Sequence, residues 1–113
     1  MVIRISEAAD LTHGKTRVFA FPSPYGEQQG FLIRYHEGFH AYRNQCRHWP
    51  IPLDFGDGDF FYETLDRIIC KSHGAQYDPE TGICEAGPCQ QAGLQRFLLV
   101  LEGRDALVTV PDA

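Results

Sequence analysis

The sequence has few features that would mark a membrane, nucleic-acid or helical protein. Its longest apolar strip is "FLLVL", strand length and far short of the roughly 18 apolar residues that a bilayer-crossing helix needs. It has no basic run. With 15 acidic against 10 basic residues, the net charge is -5, which argues against a nucleic-acid partner because phosphate recognition needs clustered Lys and Arg. The opening "MVIRISEAADLTHGK" has no basic start followed by an apolar core, so no export signal is expected and the cytoplasm is the expected location. Helix signals are scarce, "ETLDRII" alone supporting one turn. There is no internal repeat and no linker. A chain of 113 residues that is 43% hydrophobic is expected to form one domain over 1–113 with a modest core.

What remains is a β pattern. "VIRI", "TRVFAF" and "RIIC" read as strands. "FLIRYHEGFHAYRN" reads as a hairpin turning at "HEG", with Gly38 supplying the positive φ. "PSPYGEQQG" reads as a loop from its prolines and glycines, and the stretch from Gln45 to Glu63 reads as irregular. "AQYDPETGICEAG" resembles a second hairpin, with Asp78 and Pro79 starting its turn and Gly82 relieving its φ. "LQRFLLVLEGRDALVTV" closes the chain as two strands. The expected fold is all-β, a small antiparallel barrel or sandwich, with functional residues on loops held by the sheet.

Cysteine is also sparse, at positions 46, 70, 84 and 89. In a reducing compartment these are not expected to pair as structural disulfides. Two of them stand beside histidines, in "NQCRHWPIP" and "IICKSHGAQYD". A single Cys-x-His would most simply be packing. Two such pairs, both on loops rich in glycine and proline, point to metal. A Cys–His catalytic dyad would use one pair and leave the other without a role. Two thiolates and two imidazoles can complete a tetrahedral zinc site, and spacing alone leaves that open. Each loop, however, carries one ligand of each kind, which suits an asymmetric centre better than a symmetric zinc knuckle.

C-x-H, a gap of 21 residues and then C-x-x-H-G resembles the Rieske iron–sulfur domain, and the likeness continues through "CKSHGAQYDPETGICEAGP". The resemblance implies a cluster-binding subdomain of two loops holding one [2Fe-2S] cluster per chain. Cys46 and Cys70 would be on one iron and His48 and His73 on the other, an arrangement that raises the potential above that of all-cysteine clusters. It implies a cover loop at Gly87 and Pro88 and a backbone role for Gly74, where a side chain would crowd the amides aimed at sulfur. It also implies a sulfur-directed hydroxyl on Tyr77, while Ala75 stands where high-potential relatives have a serine. Trp49 and Pro50 would form an apolar rim for partner docking or pack between the two cluster loops. The disulfide of the respiratory class would need cysteine at Ile51 and Ser72 and is not expected. Cys84 and Cys89, flanking the cover loop, are expected as thiols outside the cluster.

By length and resemblance, the expected function is a one-electron carrier between a reductase and a terminal oxygenase, without a membrane partner and without bond-making chemistry of its own. The alternatives are the small subunit of a nitrite reductase, docking on its large subunit, and a zinc-binding interaction module.

Overall fold

A computed structural model of the protein describes residues 1–24, 26–46, 52–54, 56–71, 74–87 and 92–111. In chain order its strands are β1 (Val2–Ile5), β2 (Thr16–Ser23), β3 (Gly26–Tyr35), β4 (Gly38–Arg43), β5 (Phe61–Tyr62), β6 (Arg67–Ile69), β7 (Gln76–Tyr77), β8 (Cys84–Ala86), β9 (Arg96–Glu102) and β10 (Asp105–Thr109). Six form an antiparallel sheet in the order β1-β10-β9-β4-β3-β2, and four form a smaller sheet in the order β5-β6-β7-β8. A short 3-10 turn covers Ala8–Asp10. No helix among the described residues is long and apolar enough to cross a membrane.

The β3–β4 hairpin is the wall between two cores. Side chains alternate across a strand. On β3, Phe31, Ile33 and Tyr35 join one core with Tyr42, Leu53, Phe60, Ile68 and Tyr77. Leu32 points the other way, into a second core with Phe19, Phe21, Ala41, Phe97 and Val108. Burial on both faces accounts for the unbroken apolar run "FLI", whereas β2, buried on one face, alternates inward Phe19 and Phe21 with outward Val18 and Ala20.

Aromatic contacts tie the small sheet to this wall. Phe60, just before β5, stacks on Phe31 at 4.1 Å between ring centroids and 10° between planes, a pair contributing about 1 kcal/mol beyond its buried area. The Tyr42 hydroxyl on β4 donates to the Pro79 carbonyl at 2.7 Å, and its ring lies directly against Gly82 in the β7–β8 turn. Burial pushes the Tyr42 phenol above its usual range, so it stays a donor. At the far end, the Tyr35 hydroxyl donates to Asp66, and His13 Nε2 lies 3.2 Å from the same carboxylate.

Two local expectations are corrected, and a third is made specific. "PSPYGEQQG" is mostly strand, because β2 runs through Ser23 and β3 starts at Gly26, with Pro22 opposite Glu27. Pro22 is tolerated because β2 is an edge strand, where a missing N–H leaves no ladder bond unmade. In the β3–β4 turn the positive φ belongs to His36, at 53°, and Gly38 is not among the positive-φ residues. "ETLDRII" makes the single turn expected of it and no longer helix. Its one turn is closed by Asp66 N–H donating to the Tyr62 and Glu63 carbonyls at 2.9 and 3.2 Å, and it joins β5 to β6 as a hairpin.

Candidate metal centre

The β3–β4 hairpin ends three residues before Cys46, and β6 ends immediately before Cys70. Both thiols are therefore delivered from strand ends, and both are buried, at 2% and 0% exposure, in the core that also holds Leu53, Ala75, Tyr77 and Cys84. The sequence separates them by 24 positions, and the fold places both in one apolar environment.

The loop after Cys70 is closed by its own backbone. Cys70 N–H donates to the Ala75 carbonyl at 2.9 Å, and Gly74 N–H donates to the Cys70 carbonyl at 2.8 Å. Gly74 has φ 75°, a left-handed conformation that favours glycine. Among the described residues nothing lies within 4 Å of where its Cβ would stand, so what they require of Gly74 is its conformation.

Ala75 starts the return into β7, where Tyr77 pairs with Ile68 and Cys84. Tyr77 is fully buried, and its hydroxyl lies 3.4 Å from Cys46 Sγ. An O–H beside a sulfur at this distance can donate to a thiolate. The expectation that Tyr77 serves the site thus meets a matching geometry, and its place on β7 makes it a core aromatic as well.

Gly87 follows β8 with φ 98°. A Cβ on it would stand 2.8 Å from Ala75 Cα and 3.3 Å from Ala75 N, closer than real side chains approach. The start of the expected cover loop therefore rests directly on the second cysteine loop. Cys84 is buried in β8, with Sγ 3.3 Å from the Ala86 carbonyl. His48, Trp49, Pro50, His73, Pro88 and Cys89 lie outside the described residues.

Charge is arranged around the centre in pairs. Lys71, next to Cys70, places Nζ 2.5 Å from Asp57 and 3.9 Å from Asp59. The hydrogen bond between Lys71 and Asp57 raises the Lys71 pKa and lowers that of Asp57. Arg67 of β6 pairs with Glu85 of β8, spanning β7, which lies between those strands.

A polar brace with no motif in the sequence joins the segments next to the two cysteines. Asn44 and Asp54 are buried and hydrogen-bonded to each other at 3.0 Å. Their only signal in the sequence was their position, one just before the first cysteine and one in the linker between the two motifs.

Comparison with known proteins agrees with this geometry. The Rieske [2Fe-2S] domain model matches residues 2–108, and the chain belongs to that family. The chain is 34% identical over 102 residues to the ferredoxin component of the alkene monooxygenase system of Xanthobacter autotrophicus (strain ATCC BAA-1158 / Py2), covering 88% of this chain and 73% of that protein. It superposes on the ferredoxin of carbazole 1,9a-dioxygenase from Nocardioides aromaticivorans IC177 with TM-score 0.69 and 25% identity, covering 95% of each chain. The terminal oxygenase of carbazole 1,9a-dioxygenase from Novosphingobium sp. KA1 shares the fold, with TM-score 0.70 and 15% identity over 99% of this chain and 30% of that one.

Within the family the chain is an electron carrier of the ferredoxin kind rather than a catalyst, and its cofactor is one [2Fe-2S] cluster per chain. The donor set fits that group. Two soft thiols are buried in one core, a hydroxyl lies beside one of them, and the loop after the other is closed by backbone hydrogen bonds and covered by a glycine contact.

Proposed function

We propose that Cys46 and Cys70 hold one iron of the cluster and His48 and His73 the other, and that the chain carries single electrons from a reductase to a terminal oxygenase. The approach of the Tyr77 hydroxyl to Cys46 Sγ, inside the core that also holds Cys70, is the observation that carries this reading. When bound, the cluster supplies one reversibly held electron. The protein's own residues bury the sulfurs, direct a hydrogen bond at one of them and shield the second loop through Gly87, and Pro88 is proposed as the next residue of that cover. Trp49 and Pro50 are the proposed docking rim. The reading takes the chain as one domain working in the cytoplasm. The matched relatives described as ferredoxin components favour an oxygenase over a nitrite reductase large subunit as acceptor.

Charge gives the test. The formal charge of -5 is unchanged by an oxidised cluster core of about +2 held by two thiolates of about -2, and one electron takes it to about -6. Association with a basic face on the partner should slow as salt screens the attraction. Stopped-flow transfer to a terminal oxygenase should fall across a salt series. Rates that stay constant would remove the steering, and failure to reduce any oxygenase while reducing a nitrite reductase would reassign the partner.

A further inference from the structure

Among the described residues, Asn44 and Asp54 are the buried polar side chains. A buried carboxylate is costly unless its oxygens are hydrogen-bonded, and here every bond made by the pair has a direction. Asn44 Oδ1 accepts from Leu53 N–H at 2.7 Å. Asn44 Nδ2 donates to Asp54 Oδ1 at 3.0 Å and to Gln29 Oε1 at 3.2 Å. Asp54 Oδ2 accepts from Gly58 N–H at 2.8 Å.

The Leu53 peptide carries the connection onward. Its carbonyl accepts from Lys71 N–H at 2.8 Å. Asn44 stands two residues before Cys46, and Lys71 directly follows Cys70. Leu53 thus joins the segment entering the first cysteine to the segment leaving the second. The Lys71 ammonium grips the same 52–59 stretch again through Asp57, and Thr16 Oγ1 donates to the Gly58 carbonyl at 2.5 Å, fixing that stretch to β2.

We propose that Asn44 and Asp54 are positioning residues for the cluster, setting the relative placement of Cys46 and Cys70 through the backbone of Leu53. This rests on the proposed ligand roles of those two cysteines. A brace needed only for cohesion would be served as well by an apolar pair of the same volume. Here Asp54 is acceptor-only and Asn44 has one acceptor and one donating group, so the pair admits one arrangement.

That complementarity provides the experiment, on the cluster-loaded protein. Asn44→Asp sets two carboxylates against each other. Asp54→Asn leaves an NH2 group facing either the Asn44 NH2 or Gly58 N–H. The double swap, Asn44→Asp with Asp54→Asn, restores every bond. The carboxylate then at position 44 would accept from Leu53 N–H and from the amide NH2 at position 54. The amide oxygen at position 54 would accept from Gly58 N–H, and Gln29 would turn its own amide to donate. The readouts are the rate at which a chelator removes iron, the EPR line positions of the reduced cluster and the thermal midpoint.

Each single variant should lose iron about tenfold faster than the parent, the scale of one buried donor or acceptor left unpaired, with shifted EPR lines. The swap should return to within about threefold and recover the parental lines, because its hydrogen bonds are complete. Where Asn44→Asp yields no loaded protein, Asp54→Asn against the swap decides. Single variants that lower the thermal midpoint while iron release and EPR stay parental would overturn the proposal, as would a swap as labile as the singles. A parent chain purified without iron would overturn the ligand reading instead, and the two failures are thereby distinct.

Discussion

The Tyr77 hydroxyl lies 3.4 Å from Cys46 Sγ, with both residues buried in one core. A hydrogen bond onto sulfur stabilises the more negative, reduced form of a cluster and raises its potential. Ala75, where a second hydroxyl would stand in high-potential relatives, offers none. Tyr77→Phe should therefore lower the reduction potential by about 40 mV, taking the bond to be about 1 kcal/mol stronger in the reduced state and about 59 mV as a tenfold change for one electron. Voltammetry on the two proteins reads this directly, and an unchanged potential would remove Tyr77 from the tuning groups.

The contact between Gly87 and Ala75 makes a second prediction. Gly87→Ala meets both a φ of 98° and a Cβ 2.8 Å from Ala75 Cα. Strain and displacement together should cost about 2 kcal/mol. The cover would also lift from the second cysteine loop, so iron loss to a chelator should accelerate alongside the fall in thermal midpoint. A variant with parental midpoint and parental iron retention would show that the cover does not rest on Ala75 in solution.

Much of this was legible from local pattern. β1, the β3–β4 hairpin, β6 and the β9–β10 hairpin follow from alternation and turn residues. So does the β7–β8 hairpin, with its Asp78–Pro79 turn and Gly82 at φ 77°. The two cysteine–histidine motifs announced the centre because their spacing is itself the signal. What escaped the reading depends on contacts distant in sequence. Pro22 is tolerated within β2 because that strand lies at the edge of its sheet. His36 holds the left-handed turn position that Gly38 was expected to take, with its N–H donating to His13 Nδ1 at 2.9 Å. Asn44 and Asp54 look like ordinary loop residues until the fold buries them face to face.

A third prediction concerns pH. The Tyr35 hydroxyl donates to Asp66. That bond, helped by burial, pushes the Tyr35 phenol up to about 12. The same bond, with His13 adding a second, holds the Asp66 carboxyl below the usual carboxylate range. A phenol raised on folding contributes stability that is full below its unfolded value of about 10 and is lost as pH rises through its folded value. A carboxyl lowered on folding contributes stability that is present above its unfolded value of about 4 and is lost as pH falls through its folded value. Denaturant midpoints should therefore decline between about pH 10 and pH 12, and Tyr35→Phe should flatten that limb. Asp66→Asn, which keeps a residue tolerant of the local φ of 57°, should flatten the acid limb and cost about 1 kcal/mol at neutral pH. Parallel pH profiles for parent and variants would contradict the pairing.

Metal analysis combined with electron–nuclear double resonance on protein labelled with nitrogen-15 histidine tests the mixed ligand set in one experiment. Two iron and two acid-labile sulfide per chain are expected, with two strongly coupled histidine nitrogens on the reduced cluster. Replacing His48 or His73 with cysteine should remove one coupling and lower the potential, because thiolate brings negative charge to the iron. The same replacement at His13, His36 or His40 should leave both couplings in place. One zinc without sulfide, or an iron–sulfur cluster with no coupled histidine nitrogen, would contradict it.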